Sequence, residues 1–280
     1  MPDTPTIPQP RIAFVGGGNM ARSLIGGLVR QGAAPGNIAV AEPNAELRDA
    51  LARDFGVAVH ADGSAAAAGA DVVVLAVKPQ VMRSVCEALT PVVQERGALL
   101  LSIAAGIRMD QLDAWCGGGT AIVRSMPNTP ALIGAGASGL CANGRATPAQ
   151  REAAQTILGA AGAVVWIEAE DQMDIVTALS GSGPAYFFLL AEALEDAAVA
   201  QGLPRDAARL LAAQTALGAG RMLREDGETA AVLRRRVTSP GGTTQAALDR
   251  FAAHGLRDVV ADAVAAATRR GRELAAGSGG

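Results

Sequence analysis

The amino-acid sequence predicts an α/β N-terminal domain, with a doubly wound and mostly parallel sheet, followed by an all-α second domain. Three observations carry that prediction. Up to about residue 168, short β-branched runs alternate with Ala/Leu-rich helical stretches, the pattern of a parallel sheet covered by helices on both faces. Beyond 168 no strand candidate remains. A glycine-rich turn leads directly from the first strand into the first helix.

Residues 1–10 carry four prolines and no apolar core, so a flexible leader is expected there rather than an export signal. The runs 12–16, 38–42, 72–77, 99–104 and 121–124 are continuously apolar, as suits strands buried on both faces. Residues 57–59 and 164–167 are shorter strand candidates. Helical composition falls near 19–31, 44–54, 79–89 and 148–161, with Pro79 and Pro148 where proline is tolerated at a helix start. In the second half, 171–180, 184–202, 205–225, 228–236 and 244–273 read as helices. Gly-Ser-Gly-Pro, Gly-Leu-Pro and Ser-Pro-Gly-Gly separate several of them. The layout is therefore a leader over 1–10, an α/β domain over 11–168, a helical domain over 169–275 and a flexible tail over 276–280. The alanine runs at 193–200 and 261–267 favour helix but offer little area to bury. Such helices gain burial by close packing, and interlocked dimerisation is preferred here over a monomeric bundle.

Composition narrows the function classes. Half of the 280 residues are apolar, 18% are charged and 34 are glycine, far from a disordered signature. A net charge of −3 offers no basic surface for nucleic acid. The apolar runs 125–144 and 175–191 are interrupted by Gly, Pro and Ser, so neither resembles a membrane span and a soluble protein is expected. Cys86, Cys116 and Cys141 lack metal-ligand spacing and read as reduced thiols of a cytoplasmic protein, packed as small hydrophobes; no metal is expected.

Gly16-Gly17-Gly18-Asn19-Met20-Ala21 matches G-x-G-x-x-A between a strand and a helix. Gly16 would make the tight turn, Gly18 would admit a pyrophosphate, and Ala21 would let the helix approach the sheet. The phosphates would sit at the helix N-terminus, beside Asn19 and Met20, where free N–H groups favour anions. Glu42 ends the second strand, where a carboxylate accepts from ribose hydroxyls and repels a 2′-phosphate. A solvated loop glutamate is the alternative, and Arg48, one turn further on, could instead meet a phosphate.

Four more segments stand out. Ala76-Val77-Lys78-Pro79-Gln80 ends a strand at the carboxyl edge, where open α/β sheets bind ligands. Met126-Pro127-Asn128-Thr129-Pro130 is pinned by two prolines, which a rigid turn alone would also explain. Ser180-Gly181-Ser182-Gly183-Pro184-Ala185-Tyr186 breaks one helix and starts another. Thr238-Ser239-Pro240-Gly241-Gly242-Thr243-Thr244 makes a pinned turn whose N–H groups suit a carboxylate; a simple N-cap by Thr243 or Thr244 is the bland reading.

In this order, and with Ser102-Ile103-Ala104-Ala105-Gly106 among them, these segments resemble the pyrroline-5-carboxylate reductase family from about residue 11 onward. The resemblance implies a Rossmann domain followed by a helical dimerisation domain, in homodimers that commonly build decamers. It implies hydride transfer from NADPH or NADH to the imine carbon of 1-pyrroline-5-carboxylate, giving L-proline. Nicotinamide would lie near Ala76, Val77, Lys78, Pro79, Ala104, Ala105 and Asn128. Thr244 would be the catalytic residue, hydrogen-bonded to the substrate ring nitrogen. Backbone groups of Gly241, Gly242 and Thr243 would hold the carboxylate, supplied by the partner subunit, and Ser182 and Ser239 would complete the pocket.

Two positions depart from the family pattern. Gly63 stands where members usually carry an asparagine near the adenosine ribose, and Glu42-Pro43 where many have small polar residues. Among rivals, a 3-hydroxyacid dehydrogenase needs a lysine on the second domain for the alcohol proton, yet Lys78 is the only lysine of the chain. A non-catalytic nucleotide sensor would need the glycine turn but not the Ser-Pro-Gly-Gly-Thr-Thr loop. His60 and His254 belong to no motif and read as structural or surface residues.

Overall fold

A computed structural model describes residues 10–277 of the chain. Apart from Pro10 and residues 276–277, the expected leader and tail lie outside the described residues. The strands are β1 (Ile12–Val15), β2 (Ile38–Ala41), β3 (Ala58–His60), β4 (Val72–Leu75), β5 (Leu99–Ser102), β6 (Ile122–Met126), β7 (Gly136–Ala142) and β8 (Gly162–Trp166). The helices between them are α1 (Asn19–Arg30), α2 (Ala45–Phe55), α3 (Gly63–Ala67), α4 (Pro79–Arg96), α5 (Met109–Trp115) and α6 (Pro148–Gly159). After β8 come α7 (Met173–Val176), α8 (Gly183–Ala200), α9 (Arg205–Glu225), α10 (Ala230–Arg236), α11 (Thr243–Ala253) and α12 (Leu256–Gly277).

The sheet runs β3-β2-β1-β4-β5-β6-β7-β8. From β3 to β6 it is parallel, with Ile12 opposite both Ile38 and Val72. The central strands β1, β4 and β5 are buried at every position, so their sequences, apart from Ser102, are apolar without alternation. One side of the sheet packs Phe14, Leu24, Ile25 and Leu101 into a core, and the other packs Val73, Leu75, Met82, Leu89 and Leu100. The order of the strands reverses direction between β1 and β4, which opens a crevice at their carboxyl ends.

The differences from the sequence reading have physical causes. β7 was not foreseen; it pairs antiparallel with β6 because only a short loop with a 3-10 turn at Thr129–Ile133 joins them, too short for a crossover. Its residues, Gly-Ala-Ser-Gly-Leu-Cys-Ala, have little strand propensity, and a Cβ at Gly139 would lie 2.6 Å from Val176. The helix expected over 244–273 is two helices, parted at His254 and a left-handed Gly255 (φ +67°). The helix α12 reaches Gly277, so residues 276–277 are helical rather than part of a flexible tail. Short helices α3 and α5 also went unread.

By contacts the described chain divides at Gly181. One unit runs to Gly181 and takes back the chain from Ala267; the other is Ser182–Ala266. The second unit leaves large apolar side chains in the open, with Phe187, Phe188 and Leu189 on α8 each about two-thirds exposed. Leu210, Leu211 and Leu217 on α9 are exposed as well. The run 175–191, read above as unlike a membrane span, lies within a continuous helical stretch, Glu170–Ala200, long and apolar enough to cross one by length and composition. The Gly-Ser-Gly-Pro interruption is absorbed there by a π-helical turn, Thr177–Gly181.

One charged cluster is buried in the first unit. The Arg124 guanidinium on β6, 3% exposed, lies 3.1 Å from Glu170 Oε1 and 4.0 Å from Asp174 Oδ1. Glu170 Oε1 also accepts from Met109 N–H at 2.8 Å, tying α5 to the approach to α7. Replacing Arg124 with Leu takes the buried cation from Asp174 and leaves Glu170 only the more exposed Arg108, at 3.7 Å, and is expected to cost about 3–5 kcal/mol. Urea unfolding reads this directly, and an unchanged midpoint would mean that the cluster contributes nothing to stability.

Candidate functional site

The chain leaves β1 through a turn that only glycine can make. Gly16 has φ +104°, and a Cβ there would lie 2.5 Å from the Ala76 carbonyl oxygen. Its N–H donates to Ala41 O at 2.8 Å, so the turn is locked to β2 on one side while it presses on the end of β4 on the other. Gly18 is the N-cap of α1 in extended conformation, with no side chain capping the helix and no acidic residue in its first turn. A Cβ at Gly18 would meet no protein atom within 4 Å. The first N–H groups of α1 are thus left for an outside acceptor, and a phosphate fits there. Asn19 is exposed, and Met20 is half-buried against the core.

A cleft of about 620 Å³ opens beside this turn, bordered among others by Gly16, Gly18, Glu42, Asp62, Val77 and Lys78. Glu42 is not a free loop carboxylate. Its Oε2 accepts from Gly17 N–H at 3.0 Å and its Oε1 from Asn44 N–H at 3.1 Å, which fixes it at the end of β2. Arg48 Nη1 donates to the carbonyls of Glu42 and Pro43, both at 2.8 Å. Its guanidinium closes the strand end, against the alternative that it meets a phosphate. Asp62 accepts from Ala65 N–H at 2.9 Å and caps α3, with Gly63 and Ser64 next to it on the cleft wall. Lys78 is exposed just before Pro79, the first residue of α4.

Ala104 follows β5 and is buried, its N–H donating to Ser102 Oγ at 3.3 Å. Asn128 follows β6, and its carboxamide is engaged by the protein at both ends: Oδ1 accepts from Ala137 N–H and Nδ2 donates to Ser180 O, each at 2.9 Å.

In the second unit the Thr238–Thr244 loop is held by its own backbone. Thr238 Oγ1 donates to Arg234 O at 2.6 Å, and Gly242 N–H to Ser239 O at 3.0 Å. Gly242, not a threonine, is the N-cap of α11, and no side chain caps that helix. Thr243 and Thr244 are its first two residues, so the simple N-cap reading fails. The first N–H groups of α11 are therefore open, as a carboxylate would need. Ser239 is exposed; Ser182, half-buried, precedes α8 and accepts from Ala185 N–H at 3.0 Å.

The remaining candidates stay outside these groups. His60 O accepts from Glu42 N–H at 3.0 Å, and His254 lies against Arg250 at the end of α11. All three cysteines are buried and free. The hydrogen bond with Cys116, together with burial, pushes the Cys86 thiol up, and burial raises that of Cys141. Among the described residues no group of His, Cys, Asp and Glu could hold a metal. The Asn128–Ser180 bond and the Arg124 cluster were not read from sequence, because partners 52 and 46 residues apart leave no local pattern.

Comparison with known proteins agrees with this geometry. Residues 170–274 match the family model for pyrroline-5-carboxylate reductase dimerisation, and residues 11–106 that for coenzyme F420-dependent NADP oxidoreductase. A pyrroline-5-carboxylate reductase of Pseudomonas aeruginosa is 51% identical over 266 residues, 95% of this chain and 97% of that protein. The solved structure of a pyrroline-5-carboxylate reductase from Coxiella burnetii superposes with a TM-score of 0.93 at 43% identity, covering 95% of this chain and 99% of that one. A Plasmodium falciparum pyrroline carboxylate reductase with NADP bound gives 0.81 at 29% identity, covering 95% and 98%.

The two glycines separate fold from ligand. Gly18→Ala is expected to lower stability by no more than about 1 kcal/mol, the loss at an N-cap, yet to weaken NADH binding at least about tenfold. Gly16→Ala is expected to damage both, by about 2 kcal/mol or more of stability. Fluorescence titration with NADH and thermal melting of both variants check this; normal NADH binding by Gly18→Ala would remove that residue from the phosphate site.

Proposed function

The chain belongs to the pyrroline-5-carboxylate reductase family, and from that premise we propose how its own residues carry the reduction of 1-pyrroline-5-carboxylate to L-proline. The observation that carries the reading is the uncapped start of α1 behind the Gly16 turn, at the crevice where the order of the strands reverses. When bound, NAD(P)H supplies the hydride that adds to the imine carbon. The N–H groups from Gly18 to Met20 hold the pyrophosphate. Glu42 receives the adenosine ribose, and Ala76, Val77, Lys78, Pro79, Ala104 and Asn128 border the nicotinamide. The loop of the second unit, delivered by a partner subunit, holds the substrate: N–H groups of Gly241 and Thr243 take the carboxylate on either side of Gly242, whose own N–H is given to Ser239 O, and Thr244 hydrogen-bonds the ring nitrogen. Ser182 and Ser239 close the pocket.

A protonated imine is already electrophilic, so the protein needs to position two reactants rather than furnish a strong acid or base. The site residues fit that demand: backbone amides, hydroxyls and small side chains. A homodimer, assembled into a larger ring such as a decamer, would cover Phe187, Phe188 and Leu189 on α8. That occupant accounts for the exposed apolar face better than a membrane does, because residues 170–274 match a dimerisation domain. A cytoplasmic enzyme of proline biosynthesis, without nucleic acid or membrane partners, is the setting proposed.

The experiment is nicotinamide absorbance decay with 1-pyrroline-5-carboxylate, run in parallel with NADH and NADPH. Rapid decay supports the reading; a folded protein that binds cofactor and gives none would sink it. Thr244→Ala is expected to lower kcat/KM about tenfold while NADH affinity and oligomer size hold, as the loss of one hydrogen bond at the reacting ring requires. Unchanged kinetics would take Thr244 out of the site. Glu42→Ser should raise the NADPH/NADH ratio of kcat/KM about tenfold or more, since it removes a like charge near the 2′ position. A ratio that stays put would show that Glu42 does not read the ribose.

A further inference from the structure

We propose that Asn128 is a positioning residue whose carboxamide replaces the backbone N–H that Pro184 lacks, and so fixes the Ser180–Ser182 turn.

In a helix the carbonyl of residue i accepts from the N–H of i+4, or of i+5 in a π-helical turn. For Ser180 the first donor would be residue 184, which is proline and has none. The second would be Ala185, whose N–H is given to Ser182 O at 3.0 Å. Ser180 O therefore lacks the i+4 donor that a continuing helix would give it, at the place where the π-helical turn Thr177–Gly181 passes into α8. Asn128 Nδ2 fills that gap at 2.9 Å. The carboxamide cannot rotate by half a turn, because Oδ1 accepts from Ala137 N–H at 2.9 Å and a flip would set oxygen against Ser180 O and NH₂ against Ala137 N–H. The same loop grips the turn at a second point: a Cβ on Gly181 would lie 2.7 Å from Met126 Cε. Inside the turn, Thr177 Oγ1 and Ser180 Oγ donate back to Met173 O and Val176 O, so those hydroxyls are not available as substitutes.

The carboxamide of Asn128, engaged by protein at both ends, thus acts on the reaction through the turn it holds, and only the backbone of this residue is left to border the nicotinamide. The functional half of this inference rests on the reading above, in which Ser182 closes the substrate pocket.

A mutant cycle tests it. Asn128→Ala is expected to lower kcat/KM for 1-pyrroline-5-carboxylate about tenfold, as the loss of one part-buried hydrogen bond that sets the turn implies, with the Kd for NADH held within about twofold. Pro184→Ala returns an N–H to Ser180 O. The double variant is therefore expected to recover to within about threefold of Pro184→Ala alone. If Asn128→Ala weakens NADH about tenfold and Pro184→Ala restores nothing, the amide contacts the cofactor and the inference falls; an Asn128→Ala enzyme with normal kinetics overturns it too. If Asn128→Ala does not fold by itself, the cycle is read in the Pro184→Ala background, where an inactive double variant beside an active Pro184→Ala enzyme counts against it. The unfolding midpoint keeps the two claims apart: coupling between 128 and 184 in stability, in a wild type that does not reduce the imine, supports the clamp and removes the functional reading.

Discussion

The ends of β1 and β4 come so close that a Cβ at residue 16 would lie 2.5 Å from the Ala76 carbonyl oxygen. That approach decides what surrounds it. With glycine at 16 the chain can turn at φ +104°, keep its bond to Ala41 O, and aim α1 at the crevice between the two halves of the sheet. The helix start then lies open beside Ala76-Val77-Lys78-Pro79, and the Glu42 carboxylate is held within reach by the N–H of Gly17. A bulkier residue at 16 would have to part the strands or redirect the helix, and either change removes the phosphate site. Backbone sterics, more than any charged side chain, shape this end of the sheet for the proposed dinucleotide site.

The two units solve different physical problems. The first buries apolar side chains on both faces of its sheet and ties its last turns down with Arg124, Glu170 and Asp174. The second is made of alanine-rich helices that present Phe187, Phe188, Leu189, Leu210 and Leu211 to solvent in a single chain. Burying those side chains needs another surface, and a dimerisation domain has one in its own copy. Each unit also leaves a helix start without a side-chain cap, α1 in the first and α11 in the second, as phosphates and a carboxylate would need.

Much of this was legible in the sequence because burial on both faces forces continuous apolar runs, as at Val72–Leu75 and Leu99–Ser102. The Gly16–Ala21 turn was legible because its glycines recur at fixed spacing between a strand and a helix, although the contact that demands Gly16 comes from distant Ala76. Elsewhere the determinants are not local. β7 is built of small residues that must clear Val176, so no hydrophobic pattern announces it. The break at Gly255 looks from sequence like one tolerated glycine in a long helix. Whether Glu42 is solvated or fixed depends on its 3.0 Å approach to Gly17 N–H, and whether Arg48 is free depends on two carbonyls it covers. Asn128 stood within a motif that could be noticed, but its partner lies 52 residues away and became an open acceptor only because of Pro184.

The central claim is that this site passes a hydride to the carbon of a cyclic imine. The measurement closest to it follows the hydrogen itself: the enzyme is given 1-pyrroline-5-carboxylate and a nicotinamide cofactor deuterated at the transferring position of C4, and the product is examined by mass and NMR. The account predicts L-proline carrying a single deuterium at C5, on the former imine carbon. Proline formed without deuterium, or cofactor oxidised with no labelled proline, would contradict it.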